Sequence, residues 1–204
     1  MLSGFVTFEG IDGSGKTTVS RLVKERLRSQ GHSVFLTSEP TRGWLGETVR
    51  RGIEKGVSPL TETFLFLADR AAHIQEIRSH LEAGEIVLCD RYADSTYAYQ
   101  GAHLVGVLRD PIRFLQRASE GWILPPDLTI LLRVSPEVGF ERIKDRPHKI
   151  PFEDVAFLRR VAANYDHLAK ARRFFVLDAA RPAEIVSDEA VATIERRLGS
   201  RSPS

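Results

Sequence analysis

Phe5-Val6-Thr7-Phe8-Glu9-Gly10-Ile11-Asp12-Gly13-Ser14-Gly15-Lys16-Thr17-Thr18 is the stretch that decides the fold. Phe5–Phe8 reads as a short strand covered on both faces. Gly10–Thr17 then fits G-x-x-x-x-G-K-[ST] in full. A helical period follows at once, with apolar Val19, Leu22, Val23 and Leu27 and a stop at Gly31. In such a strand–turn–helix unit the glycines let successive N–H groups point inward at phosphate oxygens. The helix starting near Thr17 adds the positive end of its dipole. Gly10, Ile11, Asp12, Gly13, Ser14, Gly15, Lys16, Thr17 and Thr18 are therefore the candidate ATP-binding residues. Lys16 would reach the β- and γ-phosphates, and the Thr17 hydroxyl would ligate Mg²⁺. The motif is nearly silent about a second substrate.

Working outward, further short apolar runs lie at Val34–Thr37, Ile86–Cys89, Leu128–Val134 and Phe174–Leu177. Helical periods separate them, at about Leu45–Lys55, Thr61–Glu82, Asp110–Glu120, Pro136–Lys144, Asp154–Ala171 and Pro182–Leu198. Strands alternating with helices predict an α/β fold, a mostly parallel five-stranded sheet with helices on both faces. Neither an internal repeat nor a linker interrupts the pattern. Residues 1–198 are expected to form one domain and Gly199–Ser204 a disordered tail.

The totals narrow the function classes. Lys and Arg exceed Asp and Glu only by 29 to 27, and the basic residues are interleaved with acids rather than gathered on one face. That pattern argues against nucleic acid as a partner and for a small anion. No apolar run approaches the ~20 residues needed to span a bilayer, so no membrane partner is expected. The lone Cys89 cannot form an internal disulfide or a cysteine-cluster metal site. A cytoplasmic protein is the expectation.

A phosphate loop needs an acidic residue at the end of a neighbouring strand, close to the metal. Ile86-Val87-Leu88-Cys89-Asp90-Arg91 has that form. Asp90 could hold Mg²⁺, or could merely cap the following helix. Arg91 offers a bidentate fork for phosphate.

At this point the chain resembles the thymidylate (dTMP) kinase family. The resemblance rests on Phe8–Thr18, on Glu39-Pro40, on Phe66-Leu67-Ala68-Asp69-Arg70 and on Asp90-Arg91-Tyr92-Ala93-Asp94-Ser95-Thr96-Tyr97-Ala98-Tyr99-Gln100-Gly101, in the family's order and spacing. It implies the P-loop kinase fold with a short lid, and transfer of the ATP γ-phosphoryl group to dTMP. It also implies a substrate site made of Asp12, Glu39, Phe66, Arg70, Arg91, Ser95, Thr96, Tyr99 and Gln100. Asp12 would bond the sugar 3′-hydroxyl, Phe66 would stack on the pyrimidine and Arg70 would donate to a base carbonyl. Arg91 would grip the acceptor's phosphate. Tyr99 would lie under the sugar and disfavour a 2′-hydroxyl, while Ser95, Thr96 and Gln100 would meet the base. A homodimer is implied as well. Read from the residues alone, Phe66 could equally be core and Arg70 could pair with an acid. Tyr92, Tyr97 and Tyr99 could equally be packing.

The basic stretch Glu141–Lys149 looks like a lid (about 141–151) that excludes water during transfer. Some family members place an arginine in the phosphate loop; others have glycine there and supply arginines from the lid. Gly13 puts this chain with the second kind, so Arg146 and Arg142 are the candidate catalytic arginines beside Lys16, Asp12 and Arg91. Departures from the family pattern are Trp44, Arg133 at the end of the fourth strand, and Pro147 and Pro151 in the lid. The lid also lacks the usual arginine before Phe152-Glu153. The runner-up functions are a kinase for another nucleotide or nucleoside acceptor, and a P-loop ATPase switch.

Overall fold

A computed structural model describes residues 2–144 and 154–200. Five strands, β1 (Gly4–Glu9), β2 (Val34–Ser38), β3 (Ile86–Asp90), β4 (Leu128–Arg133) and β5 (Phe174–Asp178), form one sheet in the order β2-β3-β1-β4-β5. Every pairing is parallel, with Phe8 beside Asp90 and Val6 beside Leu128. The expected α/β fold is borne out, and all five expected strands are present to within a residue or two at each end.

Strand side chains alternate between two cores, as the pleat requires. Phe5, Val87, Cys89 and Leu131 point to one face, and Val6, Phe8, Ile86, Leu88, Ile130 and Leu132 to the other. The second face is covered by α1 (Lys16–Ser29) and α8 (Ala183–Gly199), through Val19, Val23, Leu27, Val186, Ala190 and Ile194. The first face is covered by α3 (Pro59–Glu82), α5 (Pro111–Ser119) and α7 (Val155–Leu168), through Ile74, Ile77, Leu115, Leu158 and Val161. The remaining helices are α2 (Trp44–Glu54), which packs on α3, α4 (Ala93–His103) and α6 (Pro136–Ile143).

Two differences from the sequence reading have clear causes. Helix α3 starts two residues earlier than expected, because Ser58 accepts from Thr61 N at 3.2 Å and Pro59 occupies the first turn. Helix α4 is not among the helical periods read from the sequence. Nine of its eleven residues are buried, polar Asp94, Ser95, Thr96 and Gln100 among them, so no apolar stripe marks it. Helix α8 includes Gly199 and has Ser200 as its cap, so these two residues of the expected tail are ordered onto the helix. Residues 201–204 and 145–153, which include most of the expected lid at about 141–151, lie outside the described residues.

Candidate active site

Chain order reverses about β1, which lies between β3 and β4, and the carboxyl ends of these strands form the crevice where α/β sheets hold ligands. The glycine-rich loop leaves β1 there and delivers the chain into α1, with Gly15 as the N-cap at φ 91°. Lys16 lies buried across the loop, its Nζ donating to the carbonyls of Gly10 (3.0 Å) and Ile11 (2.9 Å). Burial, and then the charge of Arg91, push its pKa down to about 8. A polyphosphate in the loop would add negative charge and favour the ammonium form.

Thr17 donates its hydroxyl to Asp90 Oδ2 at 2.5 Å, joining the start of α1 to the end of β3. Asp90 Oδ1 is buried with no hydrogen-bond partner among the described residues. A hydroxyl and a half-paired carboxylate at a phosphate loop suit a hard cation that takes oxygen ligands and shares them with a nucleotide. Among the described residues no group of three or more His, Cys, Asp or Glu could cage a metal alone, which leaves the nucleotide to complete the set. Asp90 does not cap α4. Tyr92 stands at that position, and no side chain caps the helix.

Beside the loop lies a cavity of about 170 Å³, and all nine expected substrate residues line it. Asp12 is its junction with the loop. Tyr99 OH accepts from Asp12 N at 2.8 Å and donates to Asp12 Oδ2 at 3.0 Å, and Arg91 forms an ion pair with Asp12 Oδ1. The Arg91 guanidinium sits 5.1 Å from the centroid of the Tyr99 ring. Burial works against the Arg91 charge, but Asp12 together with Tyr99, Tyr165 and Asp90 outweighs it and holds the group well above its ordinary pKa. On the opposite wall Phe66 is half-buried rather than core. Arg70, 1% exposed, donates Nε (2.9 Å) and Nη2 (2.6 Å) to Glu39 Oε2 and Nη2 to Thr96 Oγ1 (2.8 Å). Its Nη1 is buried with no partner among the described residues.

Of the two open readings of Arg70, the pairing with an acid is met. The acid is Glu39 rather than the adjacent Asp69, and Arg70 keeps one nitrogen in reserve. Three residues stand differently from their expected roles. Glu39 has both oxygens occupied, by Arg70 and by His73 Nδ1 at 3.0 Å, so it braces Arg70. Ser95 lines the cavity, but its hydroxyl donates to Glu9 Oε2 at 2.6 Å, turned away from a base. Gln100 Nε2 donates to Glu62 Oε1 at 2.8 Å. Tyr92 and Tyr97 are buried packing residues, Tyr92 lying edge-on to Phe5 at 4.9 Å.

On the donor side, Arg142 Nη1 bridges the carbonyls of Gly13 (3.2 Å) and Ala179 (3.1 Å), so α6 is tied to the loop by a side chain expected on phosphate. Arg146, Pro147, Pro151, Phe152 and Glu153 lie outside the described residues. Arg133 pairs at the surface with Asp166 (2.6 Å), and both line a second pocket beside Gly10 and Ile11.

Sequence reasoning missed several residues that hold the site. Arg173 donates to both oxygens of buried Asp94 (2.6 and 2.7 Å), anchoring α4 to the sheet. Asp69 takes Thr41 N (2.8 Å) and its hydroxyl (2.5 Å). Glu9, fully buried at the end of β1, accepts from Tyr92 N, Ser95 Oγ and Tyr165 OH. The strongest signal available was a charged residue inside an apolar strand.

A parallel sheet, a lysine-bearing phosphate loop, an acidic strand end and an adjoining cavity rimmed by two arginines define a P-loop nucleoside monophosphate kinase. The family model for thymidylate kinase matches residues 8–190. A thymidylate kinase of Thermomicrobium roseum is 46% identical over 99% of this chain and 100% of its own length. Proteins named "Probable thymidylate kinase" from Methanoculleus marisnigri (44%, over 97% and 96%) and Natronomonas pharaonis (43%, over 95% and 98%) are similar to it. The chain belongs to the thymidylate kinase family.

Proposed function

We propose that this chain transfers the γ-phosphoryl group of ATP to dTMP, giving dTDP and ADP. The observation that carries the reading is the single cavity joining Phe66, Arg70, Arg91 and Tyr99 to Asp12 of the phosphate loop. A monophosphate bound in that cavity would lie beside the donor's terminal phosphate. The chemistry needs little covalent help, because the acceptor's phosphate oxygen is already an anion at neutral pH and requires no protein base.

Binding and charge neutralisation are then the protein's task. The loop amides and Lys16 take the donor phosphates. Thr17 and Asp90 would hold Mg²⁺, which when bound screens the phosphate oxygens against one another. Arg91 grips the acceptor phosphate, and Asp12, held by Tyr99, faces the sugar. Phe66 offers a face to the pyrimidine, and the spare Nη1 of Arg70 is satisfied by a base carbonyl, a strong bonus at a buried site. Arg142 and Arg146 bring further positive charge from α6 and the segment after it. The expected lid at residues 141–151 closes over the donor, within a single domain spanning residues 1–198.

The working form is a homodimer, supported by exposed apolar Phe64 (54%) on α3 and Trp44 (74%) on α2. A cytoplasmic setting fits the single free Cys89, and no described helix is long and apolar enough to cross a membrane. The test is an ADP-release assay with MgATP and dTMP, dUMP, dCMP, dGMP, UMP, AMP or thymidine. Strong turnover on dTMP, weaker on dUMP and negligible on UMP, is the expected result. Preference for another acceptor would overturn the assignment of the cavity, and acceptor-independent hydrolysis would point to an ATPase switch.

A further inference from the structure

We propose that Glu9 is a positioning residue that fixes Arg91 for the acceptor's phosphate, holding it through both the backbone and the guanidinium. The proposal rests on the reading of Arg91 as the phosphate grip.

Arg91 adopts φ 70°, and among the described residues it is the only non-glycine at positive φ. A bulky side chain keeps that conformation only where its surroundings over-determine it. Two hydrogen bonds to β1 do so. Arg91 N donates to Phe8 O at 3.0 Å, and the next amide, Tyr92 N, donates to Glu9 Oε1 at 2.9 Å. The backbone on either side of the strained residue is therefore tied to consecutive positions of one strand.

The second hold acts on the side chain. Arg91 Nη1 donates to Ser95 Oγ at 3.3 Å. Ser95 can accept because its own proton is directed to Glu9 Oε2 at 2.6 Å, where Tyr165 OH also donates, at 2.9 Å. A hydroxyl has one proton and two lone pairs, so above about pH 7, where Glu9 is ionised and can only accept, the carboxylate behind it turns the lone pairs toward Arg91. Glu9 thus accepts all three of its hydrogen bonds, and two of the donors, Tyr92 N and Ser95 Oγ, belong to the four residues that follow Arg91. A buried carboxylate without a direct cation partner is costly, and these bonds account for its presence. Its neighbours Asp94 and Arg173, by contrast, pair with each other to anchor α4.

The decisive variant is Glu9→Gln. Tyr92 N–H can only donate, so the amide oxygen must face it, and the amide nitrogen then confronts Ser95 and Tyr165. Ser95 must reverse its hydroxyl, and its hold on Arg91 loosens. The expected result is a KM for dTMP raised about tenfold, the scale of one hydrogen bond to a charged group. KM for ATP, measured in the same assay at pH 8, should stay close to wild type. Inhibition by thymidine, which has no phosphate, should be unchanged, a split that a merely structural role would not produce. An unchanged KM for dTMP, or equal weakening of dTMP, thymidine and ATP, overturns the proposal. Arg91→Lys separates the two layers. If it raises KM for dTMP while Glu9→Gln does not, the grip stands and the role of Glu9 falls. If Arg91→Lys leaves KM for dTMP untouched, the grip itself falls and the proposal with it.

Discussion

Tyr99 contributes to the cavity in two separable ways, through its hydroxyl on Asp12 and through its ring beneath Arg91. Tyr99→Phe removes the brace on Asp12 and keeps the bulk. Turnover of dTMP should fall, by about tenfold for one buried hydrogen bond, with the ratio of dTMP to UMP turnover unchanged. Tyr99→Ala removes both, and that ratio should drop; steady-state rates on the two acceptors read the difference. Glu9 supplies a pH prediction of its own. Burial, then the charge of Asp94, raise its pKa from 4.5 to about 7. Between those values the folded chain holds a proton that the unfolded chain has lost. The stability linked to this group is therefore complete below about pH 4.5 and is lost as pH rises through about 7. Thermal melts across that window should fall more steeply for wild type than for Glu9→Gln, and parallel curves would contradict the assignment.

Helix α6 meets the phosphate loop backbone to backbone. A Cβ on Gly13 would lie 2.2 Å from Gly139 O, and one on Gly139 would lie 2.7 Å from Asp12 O. Gly13 also sits at φ 80°, a conformation that disfavours any side chain. An arginine at position 13 is thus excluded by α6 itself, which gives a physical reason why positive charge must reach the donor phosphates from elsewhere. Gly139→Ala should force α6 off the loop. Overpacking of this kind costs about 1–3 kcal/mol, and KM for ATP should rise several-fold while binding of dTMP changes little. Calorimetric melting together with separate titrations of ATP and dTMP would check both halves.

At the scale of the molecule, the parallel order β2-β3-β1-β4-β5 brings the carboxyl ends of β1 and β3 together, and with them Gly10–Thr17, Asp90 and Arg91. Polar contacts that span the chain close the site from outside: Tyr165 on α7 reaches Glu9 across 156 positions of sequence. Exposed Phe64 belongs to the same scale, since α3 lines the cavity with Phe66 and Arg70 while Phe64 faces outward. If that outer face joins two copies, equilibrium sedimentation should give twice the 22.9 kDa chain mass, and Phe64→Asp should reduce it toward one chain. A wild-type monomer at micromolar concentration would rule out the dimer.

The phosphate loop, its helix, the acidic end of β3 and the alternation of strands and helices were legible in the sequence because their signals are local. Glycine spacing, an apolar run and a helical period each lie within a short window. Phe66, Arg70 and Tyr99 were legible only through a resemblance, since their residue types are equally at home in a core. Helix α4 was not legible, because a helix buried on nearly every side and carrying buried Asp94, Thr96 and Gln100 shows no apolar stripe. The partners of Arg70 and Arg142, and the close approach of Gly139 to Gly13, were likewise decided only by the tertiary structure. So was the task of Glu9, a residue that sequence alone shows as a misplaced charge. The physical reason is common to all of these. Local pattern records what each segment buries, whereas which buried polar group meets which partner is fixed only when distant segments pack and every donor must find an acceptor.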